Sequence, residues 1–469
     1  MSLNQRDTSK NIRKGIFWNS ISSFARYGIV FIGLTFLARL LTPEDYGIVG
    51  IMAVFISVAD VLVDSGLGGA VVKKKNAARI DYSTLTIYNL CVSILLYTIF
   101  YISAPYISDF YKKPILTNLL RLYSIIILIH SITIAPKVSL TKNLRFKSLS
   151  LINLIAGICG LAVAILLAYY GYGVYSLIWQ YIVSSLATSI LIFIVSQYKI
   201  RLEFSRASFK EQFSFGLNTT LANVLKAISD NIYANVIAKT SSIVQTGYYA
   251  QSSKLCTVPV SFLFNLIDST YFPILSQENN MKIFMSKIDK LNIKTTGFII
   301  VTFGLAISIC EELIQILLGN QWVDAKITLE ILIISGMFVS ISNVGRNILK
   351  CLGMTSLILK AECRLFVLSI ILLLFSSFLG YYYIVCSFMV VSVVKAVYMN
   401  NIAYLQLGLN IRVLFRLSLV TILIVMLSVF VTYLVTYLNF NLWVSLLLKS
   451  FIYLCIVGIW IFKYKSIFL

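Results

Sequence analysis

Long apolar runs recur along the whole sequence and are separated by short polar segments. An α-helix needs about 20 apolar residues to cross a bilayer. The runs predict about fourteen transmembrane helices, at residues 16–38, 45–65, 84–107, 116–136, 148–170, 174–196, 211–237, 245–272, 295–318, 326–348, 358–379, 381–404, 413–436 and 440–462. The runs leave no room for a soluble domain and lack the alternation of a membrane β-barrel. The predicted fold class is therefore an all-α polytopic membrane protein.

The first two runs resemble a later pair when 200 is added to each position. Arg26 in the middle of the first run then corresponds to Lys226. The other matches are Arg39 with Lys239 and three identities, Ile32 with Ile232, Ala38 with Ala238 and Gly47 with Gly247. The shared mid-span cation and turn glycine favour an internal duplication, which is how many transporters are built.

The composition agrees with a membrane protein, with 59% hydrophobic and 12% charged residues against about 25% charged residues in soluble proteins. The net charge of +21 would suggest nucleic acid only on a basic face of a soluble domain, so we expect no nucleic-acid partner. Loops and helix ends on one side of the predicted membrane carry 26 Lys and Arg residues, against six on the other side. This bias predicts that both termini are cytoplasmic. The amino-terminal segment lacks a cleavage site, which predicts an uncleaved first helix.

Several cations fall inside the apolar runs, where a charge costs about 3 kcal/mol at the centre of a span. Arg26, Lys226 and Lys254 are therefore expected to face a water-filled cavity or a partner. Arg346 lies near a cytoplasmic helix end, where its side chain either reaches the headgroups or lines a substrate path. An alternative for Lys226 is a salt bridge to Asp230, because the two are four residues apart on one helix face.

Acidic residues inside the runs are candidates for binding a coupling ion. Asp60 and Asp64 share one helix face near the cytoplasmic end of span 2, where two carboxylates could hold a proton or a cation. The alternative is a solvated helix end beside Lys73–Lys75. Glu330 is a further candidate. His130, the only histidine, either relays protons or packs as a hydrogen-bonded side chain, and the second interpretation is favoured.

The sequence contains a pair of aromatic residues suited to sugar binding but lacks the common catalytic motifs. Tyr248 and Tyr249 stand beside Gln251 and Lys254, a combination that suits stacking on sugar rings. The chain has no GxSxG, Walker A or HExxH sequence, and its eight cysteines show no CxxC and no metal-ligand spacing. We therefore expect a protein that is not an enzyme and that has no cofactor and no metal site.

Five segments of the chain resemble the polysaccharide flippases of Wzx type, which belong to the multidrug/oligosaccharidyl-lipid/polysaccharide exporter superfamily. The resemblance covers most of the chain through span 12. The segments are LARLLTPEDYG (37–47), DSGLGGAVVKKK (64–75), APKVSLTKNLRFKSL (135–149), GYGVYSL (171–177) and TGYYAQSSKLCTVP (246–259).

The resemblance implies two homologous six-helix bundles in a parallel repeat, at residues 1–200 and 201–408, and two additional helices at 409–469. It also implies alternating access and an undecaprenyl diphosphate-linked oligosaccharide as the substrate, flipped from the inner to the outer leaflet of the bacterial cytoplasmic membrane. The product would serve assembly of O-antigen, capsule or exopolysaccharide. Membrane lipids, a polysaccharide polymerase, glycosyltransferases and a proton or sodium counter-ion are the candidate partners.

The anionic diphosphate fits the cations Arg26, Lys226, Lys254 and Arg346, and the sugars fit Tyr248 and Tyr249. Relatives of this type have an aspartate in span 7 where this chain has SDNIYANVIAK (229–239), so Asp230 is the candidate replacement, one turn earlier.

Three alternatives remain for the function. A multidrug exporter of the same superfamily usually has a carboxylate-dominated cavity, whereas the mid-span charges here are mainly positive. A lipid II flippase is a closely related type of transporter, which the sequence only partly excludes. A glycosyltransferase or polymerase ranks last, because it needs a catalytic carboxylate and typically a large loop.

Overall fold

The computed structural model describes residue 28 and residues 31–64, 66–199, 203–275, 281–409, 411–438 and 440–463. Within these ranges the regular secondary structure is helical and contains no β-strand. Helices satisfy every backbone hydrogen bond internally, which a bilayer requires because its core contains no water. The predicted all-α membrane fold is thereby confirmed.

Ten helical stretches among the described residues are long and apolar enough to cross a membrane, so the protein is a multi-pass membrane protein. They are Pro43–Lys73, Arg79–Tyr111, Ile115–Lys142, Phe146–Tyr169, Val174–Ser196, Lys290–Ser308, Asn320–Cys351, Tyr381–Leu407, Ser418–Leu438 and Leu442–Trp460.

The described residues form two compact units that divide after Gly247. The helices of the first unit are α1 (Phe31–Leu40), α2 (Pro43–Asp64), α3 (Leu67–Lys73), α4 (Arg79–Tyr111), α5 (Ile115–Tyr123), α6 (Ile125–Lys142), α7 (Phe146–Tyr169), α8 (Val174–Ser196), α9 (Arg206–Thr240) and the first turn of α10 (Ile243–Leu275).

In the first unit α2 packs against α9, α6 packs against both α4 and α8, and α7 packs against α8. Hydrogen bonds between side chains and backbone fix the start of α9. The backbone N–H of Glu203 donates to Ser83 Oγ at 2.7 Å, and that of Ser205 donates to Thr84 Oγ1 at 3.1 Å. Ser205 also accepts from the N–H of Ser208 as the helix N-cap. Helix α9, which begins the predicted second repeat, therefore packs within the first compact unit.

Two glycines that the sequence comparison pairs lie against each other in this unit. A methyl group on Gly47 would overlap the carbonyl oxygen of Ile243, and one on Gly247 would overlap the carbonyl oxygen of Pro43. Positions 43 and 243 are also separated by 200 residues. Only glycine permits this reciprocal approach of two helix starts, because any Cβ atom would collide with backbone.

The second unit contains the rest of α10 and seven further α-helices. They are α11 (Met281–Ser308), α12 (Cys310–Leu317), α13 (Lys326–Cys351), α14 (Thr355–Ser377), α15 (Tyr381–Leu407), α16 (Ile411–Val435) and α17 (Leu442–Lys463), and a 3₁₀ turn, Asn320–Ala325, precedes α13.

Helix α13 packs along α15, and α16 packs against α11 and α17. A methyl group on Gly304 of α11 would overlap Val425 Cγ1 and Tyr453 Oη, so this glycine sets the close approach of the last two helices. Tyr453 is fully buried and donates a 2.8 Å hydrogen bond to the carbonyl oxygen of Val301. Small residues commonly mediate such close helix contacts in membranes.

A buried ion pair ties α17 to α12. Lys449 Nζ donates to Glu312 Oε1 at 2.5 Å, and Ser445 Oγ donates to the same oxygen at 2.6 Å. The Lys449 and Glu312 side chains are only 2% and 4% exposed. Lys449, a charged residue in an apolar run, thus has an ion-pair partner. A partner and a water-filled cavity are the two environments expected for such a charge.

Candidate functional site

Three helices of the first unit bring an acid, an imidazole and a hydroxyl together. His130 on α6 lies with Nδ1 2.8 Å from Asp60 Oδ1 on α2, and with Nε2 2.9 Å from Ser185 Oγ on α8. The His130 and Asp60 side chains are 38% and 35% exposed. One imidazole therefore joins three helices while remaining open on one side.

Two more charges adjoin this group. Asp64, one turn after Asp60 on α2, interacts electrostatically with both Asp60 and Lys137 of α6. We call Asp60, Asp64, His130, Lys137 and Ser185 the Asp60 cluster. With a neutral imidazole the cluster holds two carboxylates and one ammonium, which leaves a net charge of −1.

Three members of the Asp60 cluster lie near the centres of candidate membrane spans. Asp60, His130 and Ser185 lie close to the midpoints of the candidate spans Pro43–Lys73, Ile115–Lys142 and Val174–Ser196. The sequence predicts Asp60 near the cytoplasmic end of span 2. Asp60 lies one turn before the end of α2, and the candidate span continues beyond it through α3. A charge at this depth is expensive when it faces lipid, so the open side of the group is expected to face water.

Helix α9 presents polar residues to its neighbours in the same unit. Asn231 Nδ2 donates to Ser57 Oγ of α2 at 3.1 Å, and Tyr111 Oη of α4 donates to Asn235 Oδ1 at 2.8 Å. Lys226 and Asp230 lie on the same helix and are exposed. Of the salt bridges between described residues, none joins Lys226 to Asp230.

Lys74, which follows α3, contacts the amino-terminal part of α9. Its ammonium is 2.9 Å from Glu211 Oε2 and 3.0 Å from Asp81 Oδ1. Two hydrogen bonds raise the pKa of Lys74, and the bond to Glu211 has a larger effect than the bond to Asp81. Ser208 Oγ of α9 donates to the same Asp81 oxygen at 2.6 Å.

In the second unit the aromatic candidates lie at the start of α10. Tyr248 is half-buried, its hydroxyl donates to Asp324 Oδ2 at 3.4 Å, and its ring stands edge-on to Trp322 with centroids 6.1 Å apart. Tyr249 is only 6% exposed. Lys254, two turns further along, is half-buried. Tyr248 therefore offers more open aromatic surface than Tyr249.

Arg346 lies half-buried on α13 beside a polar cluster around Asp268 of α10. The Asp268 Oδ1 atom accepts hydrogen bonds from the buried amides of Asn347 at 2.6 Å and Asn343 at 3.2 Å. Lys350 Nζ lies 3.4 Å from Asp268 Oδ2. The face of α13 that carries Arg346 is therefore polar at this level.

Glu330 of α13 lines a mainly apolar cavity of about 580 Å³ within the second unit. Helices α11, α13, α16 and α17 form its walls, and residues such as Ile334, Val425 and Phe430 contribute most of the lining. At the polar end, Lys326 Nζ lies 2.6 Å from Glu311 Oε2. The structure thus places Glu330 with a different set of charges from the Asp60 cluster.

The structure brings together some of the predicted site residues and separates others. Asp60 and Asp64 are neighbours in one cluster, Lys226 and Asp230 share α9, and Tyr248, Tyr249 and Lys254 share α10. Arg26 lies outside the described residues. Sequence reasoning missed Ser185 and Lys137, because neither an isolated serine nor a lysine at a span boundary has a distinguishing signal.

Comparison with known proteins gives a family match over most of the chain. The family model described as "Polysaccharide biosynthesis protein" matches residues 36–327. The teichuronic acid biosynthesis protein TuaB of Bacillus subtilis is 25% identical over 361 residues, covering 74% of this chain and 73% of that protein. The lipopolysaccharide biosynthesis protein WzxC of Escherichia coli is 22% identical over 347 residues, covering 73% and 69%.

The fold is shared with solved membrane transport proteins. The lipid II flippase MurJ, in an inward closed conformation, superposes with a TM-score of 0.75 at 16% identity, covering 96% of this chain and all of that one. A multidrug resistance MATE family transporter in an inward-facing conformation gives a TM-score of 0.59 at 15% identity, covering 84% and 98%. At these identities the likeness concerns the fold alone.

Proposed function

Because the chain belongs to the polysaccharide biosynthesis protein family, we propose that it is a flippase for undecaprenyl diphosphate-linked oligosaccharide units. It moves them from the cytoplasmic leaflet to the outer leaflet for assembly of O-antigen, capsule or exopolysaccharide. The family resemblance drawn from the sequence motifs is confirmed by the family match. The observation that carries the proposal is this membership combined with charged side chains within the candidate membrane spans of an all-helical fold.

The proposed membrane arrangement has fourteen spans in the bacterial cytoplasmic membrane, with both termini cytoplasmic. The ten candidate spans together with α1, α9, α10 and α14 make up these fourteen. Residues 1–200 and 201–408 are the two repeats, and 409–469 adds the last two helices. The equivalent positions of Gly47 and Gly247, which lie against each other within the first unit, support the internal duplication, and rocking of the two repeats would give alternating access.

The proposed substrate site uses cations for the diphosphate and tyrosines for the sugars. Charge-assisted hydrogen bonds to phosphate oxygens are about twice as strong as neutral ones. Lys226 is the most favourable of the described cations, because it is exposed on α9. Lys254, Arg346 and Arg26 are the other cations, and Tyr248 with Tyr249 behind it forms the proposed aromatic surface.

The membrane potential alone favours the outward step. Moving one charge through 100 mV changes the free energy by about 2.3 kcal/mol, so two phosphate charges leaving a negative interior gain about 4 to 5 kcal/mol. Exchange against a proton or sodium ion is an additional driving force, for which Asp60, Asp64, Asp230 and Glu330 are the candidate ligands. A polysaccharide polymerase and glycosyltransferases are the proposed partners in the same pathway.

The test is the pool of lipid-linked oligosaccharide in cells with and without this gene. Periodate applied from outside separates units in the outer leaflet from protected units. We expect deletion to accumulate full-length protected units and the wild-type gene to restore their exposure. Lys226→Ala should lower the restored rate about ten- to a hundredfold, since a hydrogen bond to a charged group contributes about 1.5–3 kcal/mol.

Lys210→Ala is the matched control, because Lys210 is also an exposed lysine on α9 but lies near its cytoplasmic end. It should restore the pool like wild type, and Lys226→Arg should restore it in part. An unchanged pool with a rise in sensitivity to cationic drugs would instead identify a multidrug exporter. Rescue of cells depleted of their lipid II flippase would contradict the proposed substrate.

A further inference from the structure

The mid-membrane hydrogen bonds of His130 have no role in the proposed substrate site. The imidazole joins Asp60 at 2.8 Å and Ser185 at 2.9 Å and so connects α2, α6 and α8. Neither the diphosphate nor the sugars need a histidine at this position. A histidine is, however, the side chain whose charge ordinarily changes near neutral pH.

We propose that the Asp60 cluster is the proton-binding site of this protein, with His130 as the group that takes up the proton. The resulting imidazolium is held between the Asp60 carboxylate and the Ser185 hydroxyl. The coupling of this proton to flipping rests on the proposed function, whereas the binding of the proton does not.

The charge balance of the cluster supports uptake of one proton. In their ordinary ionised forms Asp60 and Asp64 contribute two negative charges and Lys137 contributes one positive charge. Tyr123 interacts electrostatically with Asp60 and with Tyr181, and a tyrosine adds no charge in its ordinary form near pH 7. Protonation of His130 therefore brings the net charge of the cluster from −1 to zero. At this depth a neutral cluster costs less than a charged one.

The hydrogen bonds around His130 accommodate both the neutral and the protonated imidazole. With the neutral ring, Nδ1–H donates to Asp60, and Nε2 accepts from the Ser185 hydroxyl. When a proton arrives on Nε2, both ring nitrogens become donors. The Ser185 hydroxyl then accepts from Nε2–H and turns its own hydrogen toward the backbone carbonyl one helical turn earlier, a bond that serines in helices commonly make. No other heavy atom has to move.

The same geometry disfavours a sodium ion. Hard cations bind through several oxygen ligands, whereas one Asp60 oxygen is already bonded to an imidazole nitrogen. The positive charge of Lys137 beside Asp64 also repels a cation. The cluster is nevertheless not sealed, because about a third of the Asp60 and His130 side-chain surface is exposed, at 35% and 38%, and this open side is expected to face water because a charge that faces lipid is costly.

The direct test uses the fact that the chain contains a single histidine. Full-length protein carrying a purification tag without histidine and labelled with ¹³C-histidine gives one imidazole signal. We expect this signal to shift when the imidazole takes up a proton as the pH is lowered. Asp60→Asn should make this uptake less favourable and so move the midpoint of the change, because an adjacent carboxylate favours the imidazolium. Asp109→Asn, an exposed carboxylate at the far end of α4, should leave the midpoint unchanged. A signal that does not titrate, or a midpoint indifferent to Asp60→Asn, would overturn the proposal.

The coupling is tested in vesicles that contain the purified protein and a lipid-linked oligosaccharide, with the potential clamped at zero. We expect a pH gradient to change the flipping rate by at least about fivefold, and this ratio to fall toward one in His130→Gln. Ser185→Ala, which keeps every charge, should reduce the ratio in part and serves if His130→Gln is unstable. A full gradient effect in His130→Gln would refute the coupling but not the flippase. Absence of flipping in wild type would refute the flippase, while the histidine titration still decides proton binding.

Discussion

The Asp60 cluster of the first unit and the Lys449 site of the second contain the same kinds of groups. Each joins an acid to a base through a short contact, 2.8 Å between His130 and Asp60 and 2.5 Å between Lys449 and Glu312, with a serine as a third member. They differ in exposure. Lys449 and Glu312 are 2% and 4% exposed, whereas His130 and Asp60 are 38% and 35% exposed.

This difference in exposure separates a structural role from a functional one. A sealed ion pair cannot exchange protons with water, and loss of one partner leaves a buried uncompensated charge. An open pair can exchange protons with water, so its protonation state can change. The same polar chemistry thus ties α17 to α12 in one unit, whereas in the other it forms the proposed proton-binding site.

The largest loss of stability is expected from Lys449→Met. Removal of the ammonium leaves Glu312 buried and unpaired, which should lower the free energy of unfolding by about 3–5 kcal/mol. Thermal unfolding of the detergent-solubilised protein would measure this loss. The double variant Glu312→Leu with Lys449→Met should recover most of it, because it removes both charges. A single variant with wild-type stability would show that the pair does not anchor α17.

Gly304→Ala tests the packing of the same region without changing its charge. The added methyl group would overlap Val425 and Tyr453, and such overpacking costs about 1–3 kcal/mol. Gly458→Ala on α17 is the matched control, since a methyl group there meets no atom within 4 Å. Equal melting temperatures for the two variants would contradict the close contact of α11 with α16 and α17.

The smallest effect on stability is expected from Asp60→Asn. Its partner is partly exposed, and ion pairs in contact with water contribute about 0–1 kcal/mol. The melting temperature should therefore change little, while the pH dependence of flipping is lost. If Asp60→Asn destabilises the protein as much as Lys449→Met, the Asp60 cluster has a structural role and the contrast between the two sites disappears.

Particular residues show how far the sequence predicts these sites. The apolar context of Lys449 identifies it as a charge that needs a partner, yet Glu312 is 137 positions away and has no local signal. The sequence predicts Asp60 near the end of span 2 because the second apolar run is bounded at residue 65. In the structure α2 ends at Asp64, but the candidate span includes α3 and continues to Lys73. The position of Asp60 within the candidate span therefore depends on α3, which the apolar run of span 2 does not include.

By itself the sequence determined the membrane class, the helical fold and the family. The bilayer requires long apolar helices, so apolar length is a local and readable signal, and the family motifs are contiguous segments. Tertiary structure alone decided which polar groups meet. His130 lies 70 positions from Asp60 and 55 from Ser185. Such contacts depend on the rotation and depth at which separate helices pack, which no single helix encodes in its own hydrophobic pattern.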